Sequence, residues 1–254
     1  MGTVYLIGAG PGAPDLLTLR AARILERADI VLHDALVHPE VIALAAKAKI
    51  VGVGKRCSQI STDQRFINRA LVEAAQHYKI VVRLKGGDPM VFGRAQEEID
   101  ALTAAGIECE VVPGVTAAVA ASAELKISLT RRGVSRSVLL ATPRIGTDEL
   151  PAEWMQAAAA ADTTVLYMGT GEARQLVDAL KAAGMPGTLP AVIVESASLP
   201  GGKKLFTTLE ELPERASEVT GGPALVILCE VLREAVAAAT RQAASETLPV
   251  SAVG

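Results

Sequence analysis

The sequence predicts an α/β protein built from two α/β domains. Short runs of β-branched and aliphatic residues alternate with segments whose apolar residues recur at helical spacing, which is typical of a parallel sheet covered by helices. The composition agrees with such a core, because hydrophobic residues make up 50% of the 254-residue chain and aromatic residues only 3%. A chain of this length can form one large hydrophobic core or two smaller ones.

The first half of the chain shows the strand–helix alternation most clearly. Strands are predicted at 3–7, 29–32, 50–53, 80–84 and 107–112. Helical spacing follows at 17–28, 64–74 and 96–105, and Gln64 lies three residues after Ser61 in a capping-box pattern. The loops that carry polar residues and glycines follow the carboxyl ends of these strands, where open α/β sheets bind their ligands.

The second half of the chain predicts a more mixed sheet. Strands are predicted at 137–141, 163–167, 191–194, 205–208 and 224–228, and helices at 152–160, 172–183 and 232–240. The segment 200–202 (PGG) favours a hairpin-like return between two strands. Because the segment 126–136 has no periodic pattern, we interpret it as a linker. The domains are therefore expected at 1–130 and 131–240, with a disordered tail at 241–254.

Charge and cysteine usage argue against several classes of protein. The net charge of −3 provides no overall basic field for nucleic acid or for an anionic membrane surface. The three cysteines and three histidines are scattered without metal-ligand spacing, so no metal site is expected. The same scattered cysteines predict a protein of a reducing compartment. No uncharged apolar run reaches the length of a membrane helix, and the strand pattern begins directly after Met1, so we expect a cytoplasmic protein.

The glycine-rich segment 8–12 follows the first predicted strand and precedes a helix. A dinucleotide-binding turn would use Gly8, Gly10 and Ala13. Pro11 lies inside that turn and lacks the backbone N–H that a pyrophosphate needs, which disfavours a nucleotide-dependent oxidoreductase. Taken alone, the segment leaves open both a nucleotide-like ligand and a tight turn without any ligand.

Several further segments follow the predicted strands in a recognisable order. They are 4–12 (VYLIGAGPG), 15–19 (DLLTL), 33–37 (HDALV), 54–56 (GKR), 83–89 (RLKGGDP), 92–94 (FGR), 112–117 (VPGVTA) and 167–169 (YMG). In this order and spacing, the chain resembles the uroporphyrinogen-III C-methyltransferases, a group within the S-adenosylmethionine-dependent tetrapyrrole methylases. The resemblance runs from residue 3 to residue 234, and 83–94 is its most specific part.

This resemblance implies a fold, a cofactor and a reaction. Two α/β domains of the tetrapyrrole methylase type would hold S-adenosyl-L-methionine in the cleft between them, usually in a homodimer. The implied reaction methylates C2 and C7 of uroporphyrinogen III and gives precorrin-2 via precorrin-1. It leaves S-adenosyl-L-homocysteine and needs no metal. A later corrin-ring C-methyltransferase of the same family and a non-catalytic tetrapyrrole-binding protein are the alternatives.

The resemblance also implies roles for individual residues. Asp34 matches the family's proton acceptor, and Lys55 matches its proton donor. The positions that match cofactor-binding residues are Pro11, Gly86, Gly87, Asp88, Val91, Thr116, Ala117, Met168 and Ala197. Ala197 departs from the pattern, because the family more often has glycine there.

A polyanionic substrate requires a local basic surface on a protein with a net negative charge. Uroporphyrinogen carries eight carboxylates, and guanidinium groups bind carboxylates in a bidentate geometry. The segment 126–144 contains basic residues and no acidic residue. A solvated charged face is the alternative interpretation of that segment. The predicted substrate-binding residues are Arg56, Arg94, Arg131 and Arg132.

Overall fold

The computed structural model describes residues 1–54, 64–144 and 154–246. The chain divides into two units, Met1–Ala120 (unit 1) and Ala121–Gly254 (unit 2). The described part of each unit contains one five-stranded sheet with helices packed against it. The predicted class of two α/β domains is therefore confirmed.

Strands and helices alternate along unit 1. Strands β1–β5 are Thr3–Gly8, Ile30–His33, Lys49–Gly52, Ile80–Lys85 and Cys109–Val112. Helices α1–α4 are Leu19–Leu25, Pro39–Ala43, Gln64–His77 and Ala95–Ala104, and α5 is Ala117–Leu125, across the division. The strands pair in the order β3-β2-β4-β1-β5, and every pair is parallel. All five strands predicted from the first half of the sequence are present.

Apolar side chains of the first sheet alternate between its two faces. Leu6 of β1 lies in a core with Leu71 of α3 and Leu102 of α4. The next residue, Ile7, lies in a second core with Leu25 of α1. Because both faces are buried, the loops at the strand ends are the positions of this sheet that remain open to a ligand.

Unit 2 contains a mixed sheet. Strands β6–β10 are Val138–Ala141, Thr163–Tyr167, Pro190–Glu195, Lys203–Thr208 and Ala224–Cys229, and helices α6–α9 are Trp154–Ala160, Ala173–Ala182, Leu212–Ala216 and Arg233–Glu246. The strand order is β6-β7-β10-β8-β9. Only β6 and β7 pair in parallel among these strands. Strands β8 and β9 form the hairpin expected around 200–202, so the mixed character of the second sheet is confirmed.

Two short helices, α2 and α8, do not appear among the predicted elements. Each is five residues long and has a proline in its first two positions. A helix of this length does not complete the apolar repeat that sequence analysis relies on. Proline near the start is the one local signal for these helices. The first N–H groups of any helix have no partner within the helix, so proline, which lacks an N–H, is tolerated there.

The segment 126–136, which we interpreted as a linker, is tied to unit 2. Arg131 and Ser135 exchange two backbone hydrogen bonds of 2.9 and 2.8 Å. The hydroxyl of Ser135 lies 2.9 Å from the hydroxyl of Thr163 in β7. Hydrogen bonds rather than an apolar face hold this segment, so it showed no periodic pattern. The division falls between Ala120 and Ala121, earlier in the chain than the expected boundary near 130.

The expectation of a disordered tail from residue 241 is wrong for its first six residues. Helix α9 continues to Glu246, and the alanine-rich sequence RQAASE has the propensity to continue it without an apolar face. Residues 247–254 lie outside the described part of the chain. Within residues 1–54, 64–144 and 154–246, no helix has the length and apolar character needed to cross a membrane.

Candidate active site

Four of the strands in unit 1 lead into described residues that the sequence analysis selected. Because β1–β5 are parallel, their carboxyl ends lie at one edge of the sheet. The selected residues are Pro11 after β1, Asp34 after β2, residues 86–88 after β4, and residues 116–117 after β5. Lys55 and Arg56 follow β3 but lie outside the described residues. The structure thus brings most of the candidate residues of unit 1 to a single edge.

The loops that follow β1, β4 and β5 contact one another through their backbones. Gly87 donates a 2.7 Å hydrogen bond to the carbonyl of Gly10, and Gly10 donates a 3.2 Å bond in return. A Cβ atom at Gly114 would lie 2.3 Å from the carbonyl oxygen of Gly87, and one at Gly8 would lie 2.6 Å from the same oxygen. Glycine is required at these positions because three backbones meet where a side chain has no room.

Asp88 connects two of these loops through its carboxylate. One oxygen accepts the backbone N–H of Gly114 at 2.9 Å, and the other accepts the N–H of Met90 at 2.8 Å. Val91 completes the turn by donating its N–H to the Asp88 carbonyl at 3.3 Å. One Asp88 oxygen therefore joins the loop after β4 to the loop after β5, and the other fixes the turn of its own loop. The family resemblance predicts that Asp88 binds the cofactor, and no local sequence pattern indicates this structural role.

Asp34, the predicted proton acceptor, lies immediately after β2. Its carboxylate accepts a 2.5 Å hydrogen bond from Arg83 in the neighbouring strand β4, while 29% of its side chain stays exposed. The backbone N–H of Asp34 donates to the Leu84 carbonyl at 3.1 Å. Gly54 allows the chain after β3 to pass close by, because a Cβ atom there would lie 2.9 Å from the Asp34 Cα.

A network of buried charges lies behind Asp34. Arg83 and Lys85 occupy alternate positions of β4 and point to the same face of the sheet, with only 2% and 3% of their surfaces exposed. Both donate to Glu98 of α4, which is completely buried. The Arg83 Nε lies 2.9 Å from that carboxylate, and the Lys85 Nζ lies 3.0 and 3.1 Å from its two oxygens.

Burial and the surrounding charges shift the pKa values of the two cations in opposite directions. Burial disfavours the charged form of Arg83, but the carboxylates of Asp34 and Glu98 outweigh it and raise the guanidinium pKa above its usual value. Burial and the nearby charge of Arg83 lower the pKa of Lys85 despite the attraction of Glu98. Arg83 is therefore the permanent positive charge of the network.

Arg83, Lys85 and Glu98 are not among the site residues predicted from the sequence. One local signal was available, because two cations stand at alternate positions of an otherwise apolar strand, IVVRLK. Such a pattern in a sheet covered on both faces indicates buried charges that need partners. Nothing in the spacing identified Glu98 as the partner, because the residue looks like an ordinary acidic residue in the first turn of a helix.

Arg94, a predicted substrate-binding residue, lies at the start of α4. Its guanidinium forms a bidentate ion pair with Glu97, with N–O distances of 2.7 and 2.8 Å, and 58% of its side chain is exposed. Phe92 and Arg94 both adopt positive φ angles, 52° and 53°, on either side of Gly93. Non-glycine residues in this conformation cost about 1–3 kcal/mol each and concentrate at functional sites.

The candidate residues of unit 2 also lie at one sheet edge. Leu225 of β10 pairs with Tyr167 at the end of β7 and with Val194 near the end of β8. Met168 and Ala197 follow these two strands, so the structure places both at the same edge of the second sheet. Met168 has a φ of 57° and is 45% exposed, whereas Ala197 is buried.

Ala197 lies between two serines that adopt positive φ angles, 54° at Ser196 and 69° at Ser198. The carboxylate of Glu124 in α5 accepts a 3.0 Å hydrogen bond from the backbone N–H of Ser198. Its other oxygen forms an ion pair with the Nζ of Lys204 in β9, also at 3.0 Å. Partial burial of Glu124 opposes its ionisation, but these two partners outweigh it and lower the pKa of this carboxyl. Glu124 therefore holds the loop in its strained conformation.

Arg131 and Arg132, the other predicted substrate-binding residues, lie on a short hairpin in unit 2. Gly133 supplies the positive φ of its turn, 79°, and Ser135 anchors it to the carbonyl of Leu129 at 3.0 Å. Both arginines are exposed. Their guanidinium groups are thus presented to solvent from a hairpin whose backbone is fixed.

The remaining metal-ligating residue types do not gather in the described part of the chain. Among residues 1–54, 64–144 and 154–246, no group of three or more His, Cys, Asp or Glu side chains is arranged to hold a metal ion. Burial, with the nearby charges of Glu98 and Glu110, raises the pKa of the Cys109 thiol to about 11. Burial also raises the pKa of Cys229. These two thiols behave as small apolar side chains, as the sequence predicted.

Comparison with known proteins identifies the family. The sequence model described as Tetrapyrrole (Corrin/Porphyrin) Methylases matches residues 3–213, which is most of the chain. The chain belongs to the tetrapyrrole methylase family. The match includes every described candidate residue discussed above, from Pro11 to Ala197.

Individual relatives of this methylase agree with that identification. It is 41% identical to the uroporphyrinogen-III C-methyltransferase of Pseudomonas aeruginosa, over 92% of this chain and 96% of the relative. It is also 41% identical to the siroheme synthase of Azotobacter vinelandii, but spans only 51% of that longer protein. The uroporphyrin-III C-methyl transferase of Thermus thermophilus, crystallised with S-adenyl homocysteine, superposes with a TM-score of 0.81. Its sequence is 41% identical, and the match covers 92% of this chain and all of that one.

The close backbone contacts in unit 1 of this methylase predict an unequal response to two glycine substitutions. Gly114→Ala places a Cβ atom 2.3 Å from a backbone oxygen, so the loops must separate, and the free energy of unfolding should fall by about 1–3 kcal/mol. Gly171→Ala is the control, because its Cβ atom meets no atom within 4 Å in the described part of the chain. This substitution should change the free energy of unfolding by less than about 0.5 kcal/mol. Urea unfolding measures both variants. Equal stabilities would contradict the close approach.

The lowered pKa of Glu124 predicts a pH dependence of stability. Since its folded pKa lies below its unfolded value, ionised Glu124 stabilises the fold above about pH 4.5, and this contribution is lost as the pH falls further. Glu124→Gln should therefore be less stable than wild type at pH 7, by about 1 kcal/mol or less, and equally stable near pH 3. Lys204→Met keeps the Ser198 hydrogen bond and should show an intermediate effect. Parallel curves of unfolding free energy against pH for wild type and Glu124→Gln would disprove this role.

Proposed function

We propose that this chain transfers methyl groups from S-adenosyl-L-methionine to C2 and then C7 of uroporphyrinogen III, giving precorrin-2 via precorrin-1. The observation that carries the proposal is the match at 41% identity, over 92% of this chain and 96% of the relative, to a protein named for this activity. The architecture supports it, because the candidate catalytic residue Asp34 and the glycine loops lie at the ligand-binding edge of a parallel sheet.

The residues at this edge fit S-adenosyl-L-methionine, a ligand with many polar groups and no phosphate. Gly87 has a φ of 66°, and no atom of the described residues lies within 4 Å of the position of a Cβ, so its backbone is open on that side to this part of the chain. The lack of an N–H at Pro11 is compatible with such a ligand, whereas a pyrophosphate would require that donor. The proposed binding residues are Pro11, Gly86, Gly87, Asp88, Val91, Thr116, Ala117, Met168 and Ala197.

The proposed reaction asks the protein for alignment and for control of a proton. S-adenosyl-L-methionine supplies an electrophilic methyl group on a sulfonium, to which an electron-rich carbon of the macrocycle adds. Positioning of reacting groups lowers a barrier by up to about 7–11 kcal/mol. The methylated macrocycle then carries a positive charge and must lose a proton. Asp34 is proposed to accept that proton, a role worth about 10²–10⁴-fold in rate. Lys55 is proposed as the proton donor.

The substrate is proposed to bind through arginines, because its eight carboxylates demand concentrated positive charge. Arg94 begins α4 in unit 1 and presents an exposed guanidinium next to the loop after β4. Arg131 and Arg132 project from the fixed hairpin of unit 2. Arg56 completes the proposed set. Arginine suits this role because its planar fork matches a carboxylate.

Assembly as a homodimer and location in the cytoplasm are further proposals. The homodimer rests on the family resemblance. The cytoplasmic location rests on the scattered cysteines of the sequence and on the lack of an apolar run of membrane-spanning length. Light scattering during size-exclusion chromatography measures the mass of the assembly, and a monomer at micromolar concentration would contradict the proposed dimer.

Incubation with uroporphyrinogen III and S-adenosyl-L-methionine tests the proposed reaction. Under anaerobic conditions, mass spectrometry should show a tetrapyrrole that gains two methyl groups in succession, together with S-adenosyl-L-homocysteine. An unchanged substrate mass with retained binding would instead support a non-catalytic tetrapyrrole-binding protein. Methylation of a later corrin precursor in place of uroporphyrinogen III would identify the alternative enzyme of the same family.

Charge on the unit 2 hairpin should control substrate affinity. The double variant Arg131→Gln/Arg132→Gln should raise the Kd for uroporphyrinogen III about tenfold or more at low salt, because hydrogen bonds between charged groups are worth about 1.5–3 kcal/mol. The difference should shrink as salt screens the charges. Arg215→Gln/Arg233→Gln removes the same charge from two other exposed positions of unit 2 and serves as the control. Unchanged affinity in the hairpin variant would remove it from the proposed binding surface.

A further inference from the structure

The guanidinium of Arg83 connects the exposed end of strand β2 with the interior of unit 1. One of its terminal nitrogens donates to the Asp34 carboxylate at 2.5 Å, and its Nε donates to Glu98 at 2.9 Å. The other terminal nitrogen lies 3.4 Å from the backbone carbonyls of both Leu32 and Leu84. Contacts on every side of the planar group leave it a single orientation.

Glu98 fixes Arg83 from behind. Its carboxylate is fully buried and also accepts from Lys85 at 3.0 and 3.1 Å and from Gln64 at 3.4 Å. These donors come from strand β4 and helix α3, while Glu98 itself belongs to α4. The position of the Arg83 guanidinium is therefore set by three elements of the packed core.

Stability alone gives no reason for this arrangement. Buried ion pairs seldom stabilise a protein more than apolar residues of the same volume, because each charge loses its hydration. The network ends at Asp34, whose side chain is 29% exposed, whereas Arg83, Lys85 and Glu98 are buried. Among the described residues, Arg83 is also the one side chain that donates a hydrogen bond to the Asp34 carboxylate. The network thus places one carboxylate, that of Asp34, at the edge of the sheet where ligands are proposed to bind.

We infer that Arg83 and Glu98 are positioning residues that orient the Asp34 carboxylate for proton transfer. Lys85 keeps the charge of the buried Glu98 compensated, and the side chains of Lys85 and Glu98 are both buried, so Asp34 is the carboxylate of the network that a ligand can meet. This inference rests on the proposed function, since it requires Asp34 to act on the macrocycle. A displacement of about 1 Å of a reacting group lowers a rate by about 100-fold, so loss of this support should appear in turnover rather than in ligand binding.

A double-mutant cycle between Asp34 and Glu98 tests the inference in the full-length chain. The two residues do not share a hydrogen bond, and Arg83 links them. Glu98→Gln keeps the shape and an acceptor oxygen but removes the charge that holds Arg83. We expect kcat for methyl transfer to fall about 10- to 100-fold, with KM for uroporphyrinogen III and Kd for S-adenosyl-L-homocysteine within about twofold of wild type. In the Asp34→Asn background, Glu98→Gln should cause no further loss of kcat.

The matched control is Glu110→Gln, which removes a glutamate that pairs with Arg20 at 2.5 Å in the same unit but has no link to Asp34. Its kcat should equal that of wild type. A general loss of folded protein would lower all binding and turnover together and would add to the effect of Asp34→Asn. Additive losses, or a Glu98→Gln enzyme with at least half of the wild-type kcat, would overturn the inference.

A second variant keeps the test decisive where Glu98→Gln fails to fold. Arg83→Lys retains a cation in the buried network, but an ammonium cannot donate to Asp34 and Glu98 from fixed opposite sides. We expect Arg83→Lys to lower kcat and to leave ligand binding unchanged. In the Asp34→Asn background it should cause no further loss of kcat. An Arg83→Lys enzyme with wild-type kcat would overturn the inference. Wild-type turnover by the Asp34→Asn variant would disprove the role proposed for Asp34 and, with it, the positioning inference. By contrast, a wild-type chain that transfers no methyl group would disprove the proposed function itself.

Discussion

Backbone contact between the loops after β1, β4 and β5 is the constraint on which the candidate site of unit 1 depends. Gly8 and Gly114 lie so close to the Gly87 carbonyl that any side chain would force the loops apart. Asp88 then fastens the loop after β4 to the loop after β5 through the Gly114 N–H. Neighbouring parallel strands are only about 4.8 Å apart, so loops of ordinary residues could not converge this closely at their ends. The glycines and Asp88 together bring three backbone segments into contact at this edge.

Charged side chains buried beneath the same sheet connect its core to Asp34 at that edge. Arg83, Lys85 and Glu98 are buried at a cost in hydration, and each is compensated by the others at hydrogen-bond distance. A fully connected network of this kind is rigid, because displacing any member would leave a buried charge unpaired. Rigidity near Asp34 suits the proposed role of this carboxylate, which requires it to meet a ligand in one orientation. The glycine loops and the charge network thus fix the two kinds of group that a ligand would meet in unit 1.

Unit 2 reaches a comparable result by different means. Its candidate residues follow strands of a mixed sheet, and three non-glycine residues near them, Met168, Ser196 and Ser198, adopt left-handed conformations. Such conformations persist only where surrounding contacts enforce them. At Ser198 the enforcing contact is Glu124, itself held by Lys204. Ala197 occupies the position between the two serines and is buried.

The sequence alone determined where the strands and the longer helices lie along the chain, because these depend on local periodicity. It also identified the strand-end motifs and, through them, the family, because glycines, prolines and charged residues in loops mark positions with special backbone needs. Only the tertiary structure decided which groups touch. Asp88 meets Gly114 across 26 residues, and Arg83 meets Glu98 across 15. Such partners follow from strand order and from the face that a helix buries, and both are set by packing of the whole unit rather than by any local pattern.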